Sequence, residues 1–299
     1  MAEQIVARRG DLVVERDPLR PSGRLLRQGE MDASYVDLAD RSHLEFDYLR
    51  WMRMVLRIAH ARRVLHIGGG GCALPAALAA EDPGGRQEVC EVNAQVLALA
   101  RGHLGLRRAP GLRVRLVEGR TFLAGQGDRN WDAIVIDAFV GATVPRQLIT
   151  VEAVAEVARI APLGLVNVVD HRSANDVRAV AAALATAYPQ VWALGGRVGN
   201  TVVVGSVERL ALDRIAARAA ADPSPARLTS PAALARLAAG TLPLRDEELR
   251  SSRSATTTPG DQGHEPVSAT RQIGLQDRVE TDLRHPTTFS SSTSTASAP

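Results

Sequence analysis

Between residues 63 and 206, short apolar runs alternate with alanine-rich stretches whose apolar residues recur at helical spacing. The runs have the length of buried strands, and we predict seven of them, over 63–68, 87–92, 112–117, 132–137, 164–170, 190–195 and 200–206. Four helices are predicted between them, over 72–81, 93–103, 150–160 and 173–187. The alternation predicts an α/β fold, with a doubly wound, mostly parallel seven-stranded sheet. The last two strands flank a turn too short for a helix, so they should pair antiparallel.

The two ends of the chain have different patterns. Residues 11–37 contain short strands separated by turn residues, and 44–60 has the spacing of an amphipathic helix. We therefore expect an N-terminal region, 1–60, with a small antiparallel β-sheet and a linking helix, followed by an α/β domain over 61–240 that ends with helices near 207–221 and 230–239. Residues 251–299 are rich in Ser, Thr and Pro, and we expect a disordered tail.

Composition excludes several classes of function. No apolar run approaches the roughly 18 residues that span a bilayer, and the first residues lack an apolar signal-peptide core, so we expect a cytoplasmic protein that does not enter membranes. The chain contains no lysine, which excludes Schiff-base and phosphate-loop lysines. Aromatic residues make up only 3% of the chain, which argues against nucleic-acid binding. Cys72, Cys90 and the histidines show no disulfide framework and no metal-ligand spacing, so no metal is expected.

Four glycines, Gly68 to Gly71, follow the first strand of the α/β domain and precede a predicted helix. Glycines let the backbone pass close to a ligand because no Cβ stands in the way. The next strand ends on Glu91, and a carboxylate in that place can accept hydrogen bonds from two ribose hydroxyls. The pattern therefore predicts a site for an adenosine-like ligand.

Two further acids, Glu118 and Asp137, follow the next two strands. Ligands of open parallel sheets bind outside the carboxyl ends of the strands, so we expect the glycines and the three acids to share one site. His66 lies inside the first strand and is expected to be a hydrogen-bonded core histidine. His171 follows the fifth strand and borders the expected site.

Four segments, in this order, resemble the motifs of the spermidine synthase-like family, the polyamine aminopropyltransferase branch of the class I S-adenosylmethionine-dependent methyltransferases. They are Val64-Leu-His-Ile-Gly-Gly-Gly-Gly, Val89-Cys-Glu-Val-Asn, Val117-Glu-Gly-Arg-Thr-Phe-Leu and Trp131-Asp-Ala-Ile-Val-Ile-Asp-Ala-Phe. The resemblance covers residues 10–240 and implies the Rossmann-like fold of class I methyltransferases.

The resemblance also implies a sulfonium nucleoside as co-substrate, either decarboxylated S-adenosylmethionine or S-adenosylmethionine itself. The implied cofactor-binding residues are Gly68, Gly69, Gly70, Glu91, Glu118 and Gly119. Among them, Glu91 would bind the ribose and Glu118 would lie beside the adenine. Asp137 matches the carboxylate that activates the attacking amine, and Tyr48 and His171 would join it in binding a small-molecule amine or another nucleophilic acceptor.

Four positions depart from the aminopropyltransferase pattern, and one is Glu118, where the family usually has an Asp. Gly71 stands where those enzymes carry an Asp, Val140 stands where their loop has a second Asp, and Leu49 stands where a Gln or His follows the Tyr. The segment 138–150 contains no acid and includes Arg146. The second ammonium of a diamine needs a partner when it is buried. The sequence thus indicates a retained nucleoside half and an eroded polyamine half.

Aminopropyl transfer to an amine is the function that the resemblance favours, and three others stay open. The first is methyl transfer from S-adenosylmethionine, which Gly71 permits. The second is a dinucleotide-binding oxidoreductase, because Gly68-x-Gly70-x-x-Ala73 loosely fits that fingerprint. The third is a non-catalytic nucleoside-binding protein, since fold alone does not fix function. The apolar N-terminal strands could pair across a homodimer.

Overall fold

The computed structural model describes residues 4–109, 111–170, 174–196 and 199–255, and within them the chain forms two β-sheets. The first is a four-stranded antiparallel meander in chain order, which confirms the small sheet that the N-terminal turn pattern predicts. Its strands are β1 (Ile5–Arg9), β2 (Leu12–Arg16), β3 (Gly23–Gln28) and β4 (Met31–Asp37).

The second sheet has eight strands in the order β12-β10-β11-β9-β8-β5-β6-β7. The five strands from β5 to β9 are parallel, and β10, β11 and β12 are antiparallel at one edge, as expected for the last two predicted strands. The strands are β5 (Arg63–Ile67), β6 (Arg86–Glu91), β7 (Leu112–Leu116), β8 (Ala133–Ile136), β9 (Leu163–Asp170), β10 (Gln190–Gly195), β11 (Gly199–Ser206) and β12 (Arg227–Thr229).

Helices cover both faces of this sheet, and each face has its own apolar core. One core receives buried residues from α1, α2, α3 and α7, and the other receives them from α4, α5, α6 and α8, which confirms the doubly wound arrangement. The helices are α1 (Asp47–Ile58), α2 (Ala73–Glu81), α3 (Ala94–His103), α4 (Gly119–Ala124), α5 (Val151–Ile160), α6 (Asn175–Leu184), α7 (Leu212–Ala220), α8 (Pro231–Ala238) and α9 (Asp246–Ala255). Short 3₁₀ turns occur at Leu106–Arg108 and Arg146–Leu148.

The structure corrects the sequence prediction in three places. The sheet has eight strands rather than seven, because the three residues of β12 are too few to show a repeating pattern. Helix α4 has six residues and was missed for the same reason. Helix α9 continues to Ala255, five residues into the segment 251–299 that we expected to be disordered. Residues 256–299 lie outside the described part, so disorder there stays a prediction.

Helix α1 links the two sheets and carries Tyr48, for which the resemblance implies a place on the acceptor side. Its apolar face, which includes Tyr48, Trp51 and Met52, is buried against the core on one side of the large sheet. Its polar face is anchored by an ion pair from Arg50 to Asp222. This packing places the first turn of α1 over the end of β8. Within the part of the chain that the structure describes, none of the helices is long and apolar enough to cross a membrane.

Candidate active site

The turn after β5 depends on glycine. Gly68, Gly69 and Gly70 have φ angles of +78°, +148° and +48°, which L-residues with a side chain rarely adopt. A Cβ at Gly68 would lie 2.5 Å from the backbone oxygen of Asp137, so the turn approaches the end of β8 more closely than any other residue type would allow. The turn therefore brings open backbone and the candidate catalytic acid to the same edge of the sheet.

Glu91 ends β6 at this edge and is buried. Its Oε1 accepts a hydrogen bond of 2.7 Å from the backbone N–H of Asn93, which fixes the direction of the side chain. Burial raises the pKa of the Glu91 carboxyl, and the backbone N–H groups partly oppose that rise. Asn93 in turn caps helix α3 by accepting from the N–H of Gln95. Glu91 is thus a carboxylate held in a defined orientation, as a ribose-binding acid requires.

Glu118 is the N-cap of helix α4. Its Oε1 accepts from the N–H of Arg120 at 2.9 Å, and its Oε2 accepts from the N–H of Thr121 at 2.7 Å. Gly119 follows it, and a Cβ there would lie 2.3 Å from Cγ2 of Ile67 in β5. Both residues therefore have a structural role, as a helix cap and as a point of close helix–strand packing. Their contact with a nucleoside stays a prediction.

Asp137 follows β8 and has two side-chain donors. Its Oδ1 accepts from Nδ2 of Asn167 at 2.9 Å, and its Oδ2 accepts from the hydroxyl of Tyr48 at 3.3 Å. Burial raises the pKa of Asp137 to about 6, and the two hydrogen bonds oppose the rise because they favour the charged form. Burial, and then the neighbouring Asp137, raise the pKa of Tyr48 well above its usual value, so Tyr48 acts as a donor.

Asn167 contacts the candidate catalytic acid and was not predicted from the sequence. It lies in β9 between Val166 and Val168 and is completely buried. A lone polar residue within an apolar run is the signal that could have found it, because buried polar groups need partners.

A small pocket lies between the glycine turn and Asp137. The structure thus brings together three predicted residues from different elements, Gly69, Tyr48 and Asp137. The cavity is lined by Ala33, Ser34, Tyr48, Leu49, His66, Gly69, Ala73, Leu74, Pro75, Val135 and Asp137.

His66 is the buried core histidine that we expected. Its Nε2 is 3.0 Å from Oε1 of Gln87, and burial lowers the pKa of the imidazole to about 4. His171, the other histidine considered, lies outside the described residues, so its role on the acceptor side stays a prediction.

Gly71 lies directly under the N-terminal sheet. A Cβ at this position would stand 2.7 Å from Oγ of Ser34 in β4 and 2.9 Å from Cδ1 of Leu104. An Asp therefore does not fit at residue 71 unless these neighbours move. Among the described residues, no group of three or more His, Cys, Asp or Glu side chains is arranged to hold a metal ion.

The loop after Asp137 presents an apolar residue to solvent and is tied down at its far end. Val140 is 71% exposed and pairs with Thr143 in a tight bridge. Arg120 donates to the carbonyl of Gln147 at 2.7 Å and also forms an ion pair with Asp246. Helices α4 and α9 thus hold the 3₁₀ turn that ends this loop.

In the comparison with known proteins, no family model matches the chain. A polyamine aminopropyltransferase of Vibrio vulnificus (strain CMCP6) is 28% identical over 156 residues, which are 50% of this chain and 52% of that protein. The chain therefore matches about half the length of this curated relative.

Two solved structures extend the comparison to most of the described fold. The crystal structure of a probable spermidine synthase from Corynebacterium glutamicum ATCC 13032 has a TM-score of 0.73 at 24% identity, covering 80% of this chain and 95% of that one. A spermidine synthase in complex with the transition state analogue AdoDATO has a TM-score of 0.55 at 14% identity, covering 83% of both chains. These matches show that the chain shares the fold of the spermidine synthases.

Proposed function

We propose that this chain transfers an aminopropyl group from decarboxylated S-adenosylmethionine to an amine. The observation that carries the proposal is Asp137, a half-buried carboxylate held by Tyr48 and Asn167 beside the glycine turn. The proposal also draws on the Vibrio relative, which is named a polyamine aminopropyltransferase, and on the structural relative that holds AdoDATO.

The glycine turn and Glu91 fit the nucleoside part of such a co-substrate. The turn leaves open the space that a Cβ would fill, and Glu91 presents an oriented acid at the end of the neighbouring strand. Gly68, Gly69, Gly70 and Glu91 would hold the nucleoside, and Glu118 and Gly119 would lie near its adenine. Replacing Glu91 with Ala should weaken nucleoside binding, and calorimetry with methylthioadenosine measures that loss.

The chemistry of the transfer explains why a carboxylate is needed at residue 137. When the sulfonium compound is bound, the amine lone pair forms the new C–N bond while the C–S electrons leave on sulfur as a neutral thioether. An amine has an ordinary pKa near ~10.4 and is mostly protonated at neutral pH. Asp137, with a pKa of about 6, is mostly ionised there, so it orients the nitrogen and receives its proton. Tyr48 and Asn167 keep the carboxylate in place, which supplies the positioning part of catalysis.

Methyl transfer from S-adenosylmethionine is the second candidate, and Gly71 is the observation that favours it. Residue 71 carries no acid that would repel the carboxylate of S-adenosylmethionine, and Ser34 fills the space beside it with a neutral hydroxyl. This candidate uses the same nucleoside residues and differs in the transferred group.

Calorimetry with the two sulfonium compounds, followed by mass spectrometry of an amine incubated with each, separates the candidates. The proposal expects tighter binding of the decarboxylated compound and an aminopropylated amine. A methylated product together with preferential binding of S-adenosylmethionine would replace it with the second candidate. Binding of NAD with no response to either sulfonium compound would refute both.

A further inference from the structure

Two buried amide oxygens on strands β9 and β11 have no hydrogen-bond donor among the described residues. They are Oδ1 of Asn167 and Oδ1 of Asn200. Asn167 is completely buried, and Asn200 is half-buried near the start of its strand. A buried acceptor without a donor carries the full penalty of its lost hydration, so such oxygens need an explanation.

The strand register places both residues on one face of the sheet. In the antiparallel ladder of β9 and β11, Asn167 lies opposite Val202 and Asn200 lies opposite Val169, so the two asparagines are diagonal neighbours. Val202 belongs to the core that packs against α1, and the period of two puts Asn167 and Asn200 on that same face. This is also the face on which Tyr48 of α1 meets Asp137.

The hydrogen bond to Asp137 fixes the orientation of the Asn167 amide. Its Nδ2 donates to the Asp137 carboxylate, and the reversed amide would set oxygen against oxygen. The Asn167 oxygen is therefore held beside the candidate catalytic acid as an acceptor that no described residue fills. Asp137 and Asn200 keep partial exposure on either side of Asn167, which leaves an approach from the strand ends.

We propose that Asn167 and Asn200 complete the acceptor subsite by accepting N–H donors of the incoming amine through these oxygens. The inference rests on the proposed function and names acceptor-side residues for it. Together with Asp137, the two amides offer three acceptors, which match the donors of a primary ammonium, whereas a hydroxyl acceptor has one donor. The acceptor half of the site is thus carried by strands β9 and β11 rather than by acids of the loop 138–150.

The test is calorimetric titration of an amine into the full chain saturated with methylthioadenosine. The probes are n-butylamine and putrescine, and the variants are Asn167→Leu and Asn200→Leu. Each variant should weaken amine binding roughly tenfold or more while leaving the nucleoside Kd unchanged. Asn200→Asp keeps an acceptor oxygen and should retain amine binding. Asn130→Ala is the control, because Asn130 precedes β8 at the end opposite Asp137 and donates to Gln126.

Unchanged amine binding in Asn200→Leu, or no amine binding by the unaltered chain, overturns the inference. If Asn167→Leu is too unstable for the amine titration, the Asn200 variants still decide the test. Asn200 is only half-buried, so its replacement should leave the chain folded. Product formation is scored separately. If amine binding depends on Asn200 but no aminopropylated product forms, the subsite is supported and the transfer reaction is refuted. If the product forms but amine binding does not depend on Asn200, only the subsite is refuted.

Discussion

Asp137 combines burial with two side-chain hydrogen bonds, and their balance sets the pH at which it is charged. A general base must be ionised to take a proton, so activity should rise with pH through about 6, the pKa of Asp137. Asp137→Asn cannot take the proton, and we expect its turnover to fall about 10²–10⁴-fold with loss of this acidic limb.

Rate measurements between pH 5 and pH 9, with methylthioadenosine binding as the control, check this prediction. Nucleoside binding should be the same in both proteins, because Glu91 and the glycine turn are unchanged. Equal turnover in the variant and the unaltered chain would remove Asp137 as the base.

The same residue should lower stability when it is ionised. Its pKa is about 6 in the folded chain and about 3.8 when unfolded, so the folded form binds the proton more tightly. The stabilising contribution is complete below pH 3.8 and is lost as pH rises through 6. Asp137→Asn should therefore have a free energy of unfolding about 1–3 kcal/mol higher at pH 8.

Urea unfolding of both proteins at pH 8 and pH 4 tests this difference, which should vanish at the lower pH. The pKa of His66 is lowered to about 4, so this residue makes the folded chain less stable in acid. Both proteins carry His66, so its effect cancels in the comparison. A variant less stable at pH 8 would show that the hydrogen bonds of Asp137 outweigh its burial.

Sequence alone could predict the site residues that end strands, but not those inside them. Glu91 and Asp137 follow apolar runs, so their place at the sheet edge was predictable, and Gly69, Tyr48 and Asp137 do meet at one cavity. Asn167 and Asn200 sit within or beside runs of valine, where the pattern indicates only a strand. Their significance depends on which neighbours satisfy each polar atom, and only the fold determines that.

At the scale of elements, α4 approaches β5 closely at Gly119. A methyl group added at Gly119 would meet Cγ2 of Ile67, so Gly119→Ala should lower the free energy of unfolding by about 1–3 kcal/mol. Chemical denaturation of Gly119→Ala, Ile67→Ala and the double variant measures the coupling. The free energy of unfolding should fall less in the double variant than the sum of the two single losses. Strict additivity of these losses would show that the two residues do not compete for space.

The boundaries of elements could be predicted where hydrophobic period and end signals agree. Strands β5 to β11 lie within one or two residues of the predicted runs, because most runs are rich in apolar residues and are followed by a glycine or a polar residue. Strand β12 and helix α4 were missed because elements of three and six residues complete too few periods. Tertiary pairing with β10, rather than local pattern, defines β12.

At the scale of the whole molecule, α9 holds the C-terminal part of the described chain against the site. Asp246 pairs with Arg120, and its N–H donates to Glu152. The free energy of unfolding should therefore be about 1–2 kcal/mol lower for a chain that ends after Arg245 than for one that ends after Ala255. Thermal melting of both truncations measures the contribution of α9. Equal melting temperatures would show that the helix does not support the fold.

Ser34 of the N-terminal sheet fills the space beside Gly71, so the two sheets share one wall of the cavity. An acid at residue 71 requires the side chains of Ser34 and Leu104 to shift. A side chain at residue 71 would therefore press on the N-terminal sheet. A chimera that exchanged the N-terminal sheet with that of a relative would exchange one wall of this cavity as well.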